Sequence, residues 1–129
     1  MIYYLNYQEI QELHDNIIAL YWWLSGIQNT WQAQSLLEHI QNNEYYPTLL
    51  SKTTHLLFWL IQFHCFNDWN KRTAIAATDI FLQGNNIFIV DLPVKLEDIA
   101  IWVAKWILNK DELSHIIHSI CISFWYTIT

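Results

Sequence analysis

At 129 residues the chain fits one domain, residues 1–129, around a single core. Its net charge is −6, and its only cations are Lys52, Lys71, Arg72, Lys95, Lys105 and Lys110. That excludes a direct nucleic-acid binder, because phosphate backbones are held by clustered Lys and Arg, so any phosphate chemistry must be local. A hydrophobic fraction of 53%, with eight Trp, seven Tyr and six Phe, predicts a large aromatic core with apolar surplus left at the surface for a partner protein or a second copy.

Asn6 followed by Glu9 reads as a capping box that opens a helix over about 7–23, ended by Ser25-Gly26. A second helix is expected over 31–41, followed by a loop QNNEYYP (41–47) without apolar period. The third, about 48–63, is apolar nearly all round and belongs at the centre of the domain. A fourth starts near Asn70 and stops at Gly84-Asn85, where the glycine is expected to be left-handed. Residues 86–91 alternate briefly and read as extended. Pro93 precedes a fifth helix, about 94–108, and Asp111 is expected to cap a last one running to about 124. The expected fold class is all-α.

Cys65 and Cys121 are too few for a disulfide framework, and the N-terminus lacks the basic and uninterrupted apolar runs of a signal peptide. The apolar runs 56–63 and 116–128 are short of the ~20 residues that span a bilayer. A reduced, cytoplasmic setting with no membrane segment is the expectation.

The stretch HCFNDWNKRTA, His64 to Ala74, stands out because it places Lys71 beside Arg72, the chain's one arginine. Both fall in the first turn of the fourth helix, where the helix dipole disfavours cations, so their placement implies a compensating negative ligand, most simply a phosphate. Asp68 suits a hard cation such as Mg²⁺, and His64 is the natural acid or base. Taken singly, each residue also has a plain structural reading. Asp68 and Asn70 are good helix caps, Lys71 and Arg72 suit a solvated face, His64 can close the preceding helix, and Asn67 is uninformative alone.

The same residues resemble the signature loop of the Fic/Doc family, a His-x-Phe-x-Asp/Glu-Gly/Ala-Asn-Lys/Gly-Arg pattern, in its Doc branch of death-on-curing toxins. YLNYQEIQELHD, LLE at 36–38, YPTLLSKTTHLLF and AIAATDIFLQGN agree with that branch in order and spacing, so the likeness covers roughly residues 3–118. It implies an all-α fold whose motif loop joins two central helices and binds ATP with Mg²⁺. His64 would be the catalytic base, Asp68 the metal ligand, and Asn67, Asn70, Lys71 and Arg72 the phosphate-binding set.

Relatives that transfer AMP carry Gly at the position of Lys71 and a second Arg at that of Ile75, and this chain has neither. The resemblance therefore implies transfer of the γ-phosphate to a Ser or Thr hydroxyl of a protein target, with elongation factor Tu the target in Doc-type toxins. AMP transfer is the second reading. A third, a catalytically degenerate binding protein, follows if Trp69, standing where relatives have Gly or Ala, covers the phosphate pocket. No glutamate follows Ser or Thr at the spacing of the family's self-inhibitory helix, so restraint is expected from an antitoxin in trans.

Three further features complete the reading. His14 matches a histidine common in Doc-type sequences, with a place in the site and a place in the core both open. Loop 41–47 falls where relatives carry a target-aligning flap, and is short. His115 and His118 stand three apart without evident further ligands.

Overall fold

A computed structural model describes the backbone of residues 1–19, 30–62 and 70–129, and the side chains of 1–16, 34–62 and 71–129. Among the described residues it contains six helices and no strand: α1 (Tyr7–Ala19), α2 (Thr30–His39), α3 (Leu49–Gln62), α4 (Asn70–Gly84), α5 (Leu92–Ala104) and α6 (Lys110–Ser123). The expected end of the first helix, with its stop at Ser25-Gly26, lies outside the described residues.

Side chain to backbone capping explains where the helices begin. Asn6 Oδ1 accepts from the Glu9 N–H at 2.8 Å while Glu9 Oε1 accepts from the Asn6 N–H at 3.2 Å, the reciprocal box read from the sequence. Thr48 and Ser51 do the same for α3, with Thr48 Oγ1 accepting from Ser51 N–H at 3.0 Å and Ser51 Oγ from Thr48 N–H at 3.1 Å. At α6 the cap is Asn109, which pairs with Glu112 at 2.8 and 3.0 Å, and Asp111 lies inside the first turn. Asn109 is the cap because its Oδ1 accepts from the third amide of the helix while its own N–H donates to the Glu112 carboxylate.

α4 and α6 end at Gly84 and Ser123, beside their expected stops, and α5 ends at Ala104, short of the expected 108; the closures themselves differ from expectation. In α4 the left-handed residue is Asn86 (φ 66°), not Gly84, and the Ile87 N–H reaches back to the Leu82 carbonyl at 2.9 Å. Gly84 serves packing instead, because a Cβ there would meet the Tyr3 ring at 2.2 Å. α5 begins at Leu92, with Pro93 inside its first turn, and stops at Ala104 because Trp106 turns left-handed (φ 59°). Ile107 N–H then bonds the Trp102 carbonyl at 2.8 Å. α6 ends the same way at Trp125 (φ 68°), with Tyr126 N–H on the Cys121 carbonyl at 3.0 Å. All three are Schellman closures, two of them built on a tryptophan where glycine is usual. Of the stretch 86–91 read as extended, 86, 90 and 91 lie in turns and 87–89 belong to no helix or strand.

α3 is central, as its apolar circumference predicts: it packs on α4, α6, α5 and α2, and α4 packs on α5 and α1. Leu56, Leu57, Leu60 and Ile61 of α3 are buried with Ala74, Ala77 and Phe81 of α4 and Ala100 and Val103 of α5. The apolar surplus does reach the surface, where Phe88, Val90, Val94, Trp102, Trp106 and Trp125 are all exposed. Among the described residues, no helix is long and apolar enough to cross a membrane.

Candidate functional site

α3 and α4 pack directly on each other and are joined by residues 63–69, so the C-terminus of α3 and the N-terminus of α4 frame the motif loop. The end of α3 is pinned by the Gln62 side-chain amide, which donates to the Val103 carbonyl of α5. His64, Cys65, Phe66, Asn67, Asp68 and Trp69 lie outside the described residues, as does the side chain of Asn70, whose backbone opens α4.

The described part of the site is the first turn of α4. It carries Lys71 and Arg72, both exposed, and no acidic residue, while Thr73, Ala74, Ala77 and Thr78 turn the opposite face into the core. α6 shows the usual arrangement, with Asp111 and Glu112 offsetting the positive end of the helix. The start of α4 thus adds two cations to a pole that already favours anions, which fits polyphosphate chemistry in the donor set the chain presents. Ile75 is buried, so that position offers no polar group to a ligand.

Two other residues raised by the sequence find definite places. His14 is wholly buried on α1, its Nδ1 3.6 Å from the Asp15 carboxylate, in the helix that packs on α4. Loop 41–47 is a tight turn in which Asn42 Oδ1 accepts from the Glu44 N–H at 2.8 Å. It lies at the N-terminal end of the 14-residue α3, roughly 20 Å along the helix from the end that leads into the motif.

The sequence did not single out a second polar centre, built on α3 itself. Lys52 is completely buried; its Nζ donates to the Ile40 carbonyl at 2.6 Å and to Asn43 Oδ1 at 2.8 Å, and lies 5.6 Å from the centroid of the Tyr4 ring. A signal was present, since Lys52 stands at a core position between Leu49 and Leu56. His55, nearly buried, has its Nδ1 2.7 Å from Lys110 Nζ and its ring 4.2 Å from that of Tyr46. That contact spans 55 positions in sequence and leaves no local signal.

Burial, with the nearby charges of Lys110 and His39, holds the His55 imidazole down to about 3 from the ordinary 6.5. The folded chain therefore binds fewer protons at this site than the unfolded chain. Stability from His55 is fully present above about pH 6.5 and is lost as pH falls toward 3, with a slope of up to ~1.4 kcal/mol per pH unit. Urea unfolding of wild type and His55→Gln at several pH values between those limits should show a shallower acid-side decline in the variant; parallel curves would refute the assignment.

Comparison with known proteins covers the same region. The Fic/DOC family model matches residues 4–82, which hold α1 to α3, the motif and most of α4. A protein named protein kinase doc, from Escherichia phage P1, is 30% identical over 100 residues, 75% of this chain and 79% of that protein. The helical framework, the motif at the α3–α4 junction and the match over more than half the chain lead to one assignment: the chain belongs to the Fic/DOC family.

Proposed function

We propose that the protein is a Doc-like toxin that transfers the γ-phosphate of ATP to a Ser or Thr hydroxyl of a protein target in the cytoplasm. The observation that carries this reading is the first turn of α4, which holds two exposed cations and no acidic residue of its own, in a helix pair whose connection is HCFNDWNKR. The likeness to protein kinase doc supports phosphate rather than nucleotide as the group transferred, as do Lys71 and the buried Ile75 at the two positions that differ in AMP-transferring relatives.

In this reading Lys71 and Arg72 bind phosphate oxygens, with Asn67, Asn70 and the amides opening α4 completing the cradle. Asp68 holds the Mg²⁺, which would neutralise charge on the phosphates when bound. His64 accepts the proton of the target hydroxyl. Catalysis then rests on positioning and charge neutralisation, as in phosphoryl transfer generally. Elongation factor Tu is the first target to try. An antitoxin in trans is the proposed restraint, and the exposed apolar side chains Phe88, Val94, Trp102 and Trp106 suit a partner of that kind.

Incubation with elongation factor Tu and Mg²⁺, using ATP labelled at either the α- or the γ-phosphate, tests the proposal. Label from the γ position is expected on the target, reduced roughly 10²–10⁴-fold by His64→Ala. Label from the α position would make the protein an AMP transferase. Failure of wild type to bind ATP, with binding restored by Trp69→Gly, would make it a degenerate member of the family.

A further inference from the structure

A cluster of titratable groups outside the motif joins α2, loop 41–47, α3 and α6. Lys110, the first residue of α6, places its Nζ 2.7 Å from His55 Nδ1 and 5.3 Å from the centroid of the Tyr46 ring. The His39 ring lies 6.3 Å from the imidazole of His55, and Trp59 6.4 Å. His55 is nearly buried and Lys110 half-buried. His55 lies seven residues before the end of α3, about 10 Å along the axis, which separates the cluster from the motif.

The five lysines differ in what their nitrogen touches. Lys52 is enclosed and donates to two oxygens, and Lys95 donates to the Val90 carbonyl at 2.9 Å with the Phe124 ring 5.3 Å away. Lys71 and Lys105 are exposed. Oxygen partners only accept, which favours the ammonium. Among the contacts of the described residues, Lys110 alone faces a ring nitrogen, which accepts in one tautomer and donates in the other, so the contact survives loss of the amine's proton.

Two further effects act in the same direction. An ammonium in the first turn of α6 opposes the helix dipole. Burial lowers the Lys110 pKa from its ordinary value, with the Asp111 carboxylate offsetting part of the shift. Together these raise the share of Lys110 present as the neutral, nucleophilic amine, with its nitrogen held beside the imidazole.

We infer that Lys110 is an acyl-acceptor site, taking a small acyl group from an acyl phosphate onto Nζ. The neutral amine attacks the acyl carbon, an N–C bond forms and the C–O bond to phosphate breaks. Phosphate departs with the electron pair and takes up the proton lost by nitrogen. His55 is a positioning residue, because an imidazole held so far below its usual range orients the amine and does not take the proton. The amide product carries no charge, so modification removes a cation from the α3–α6 junction and from the edge of loop 41–47.

The site is independent of the phosphate transfer proposed above, and so is its test. The full chain is incubated with acetyl phosphate, and each lysine is followed over time by peptide mass spectrometry. Lys110 should be modified several-fold faster than Lys71 or Lys105. His55→Leu should reduce the Lys110 rate to that of the exposed lysines. Equal or faster reaction at Lys71 or Lys105 in the folded wild type overturns the inference, whether or not the His55 variant folds.

Discussion

Replacing Lys52 with alanine should destabilise the protein by about 3–5 kcal/mol, a large fraction of the 5–15 kcal/mol typical of a domain. The side chain is completely enclosed on the central helix, so truncation opens a cavity where the four-carbon stem packed. It also removes the donor from the Ile40 carbonyl, which lies one residue beyond the end of α2, and from Asn43 in the following loop. A carbonyl at a helix C-terminus carries partial negative charge and needs a donor when buried, and here the ammonium fills the role that a left-handed C-cap plays elsewhere. One side chain therefore fixes three consecutive pieces of the fold.

Lys52→Met separates the two contributions. Methionine restores most of the buried stem and leaves the carbonyl unpaired, so its cost should fall to about 1–3 kcal/mol. Guanidinium unfolding measures both, with the denaturant slope near wild type if only the native state is affected. A cost under about 1 kcal/mol for the alanine variant would mean that the ammonium gains less from its two oxygens than it loses by leaving water.

That lysine also marks where the sequence stops being a guide. The start of α1, the central place of α3 and the start of α4 are legible because each depends on residues within a few positions: Asn6 with Glu9, the apolar circumference from Leu49 to Ile61, and the polar run before Asn70. The end of α6 at Ser123 falls beside the expected 124, but the end of α5 and the residues that close both helices are not legible. A left-handed tryptophan is disfavoured by local sterics, and Trp106 holds that conformation with its ring 5.9 Å from Phe58, 48 positions earlier.

The buried charge of Lys52 and the His55–Lys110 contact belong to the same class, set by neighbours distant in sequence and contrary to the average behaviour of their residue types. The candidate site is the reverse case. Its residues are contiguous, and a helix N-terminus supplies the same amides and dipole wherever it occurs, so the phosphate-binding expectation needed only the start of α4. Its distance from loop 41–47 depends on the length and direction of α3, which only the fold provides.

Arg72→Ala should lower phosphate transfer by about 10²–10³-fold, the usual effect of losing one preorganised group aimed at developing charge. Arg72→Lys should recover only part of this, since an ammonium cannot form the paired bonds that a guanidinium makes with two phosphate oxygens. The position predicts a second, independent result. Two cations in the first turn of α4 oppose its dipole by typically 0.3–1 kcal/mol each, and a bound phosphate relieves that opposition. Mg-ATP at about 100 times its Kd should therefore stabilise wild type by ~2.7 kcal/mol, seen as a raised unfolding midpoint. The same concentration should move the midpoint of Arg72→Ala much less. A variant that loses activity while keeping the full ATP-dependent shift would place Arg72 on the target rather than on the nucleotide, and equal shifts with equal activity would remove it from the site.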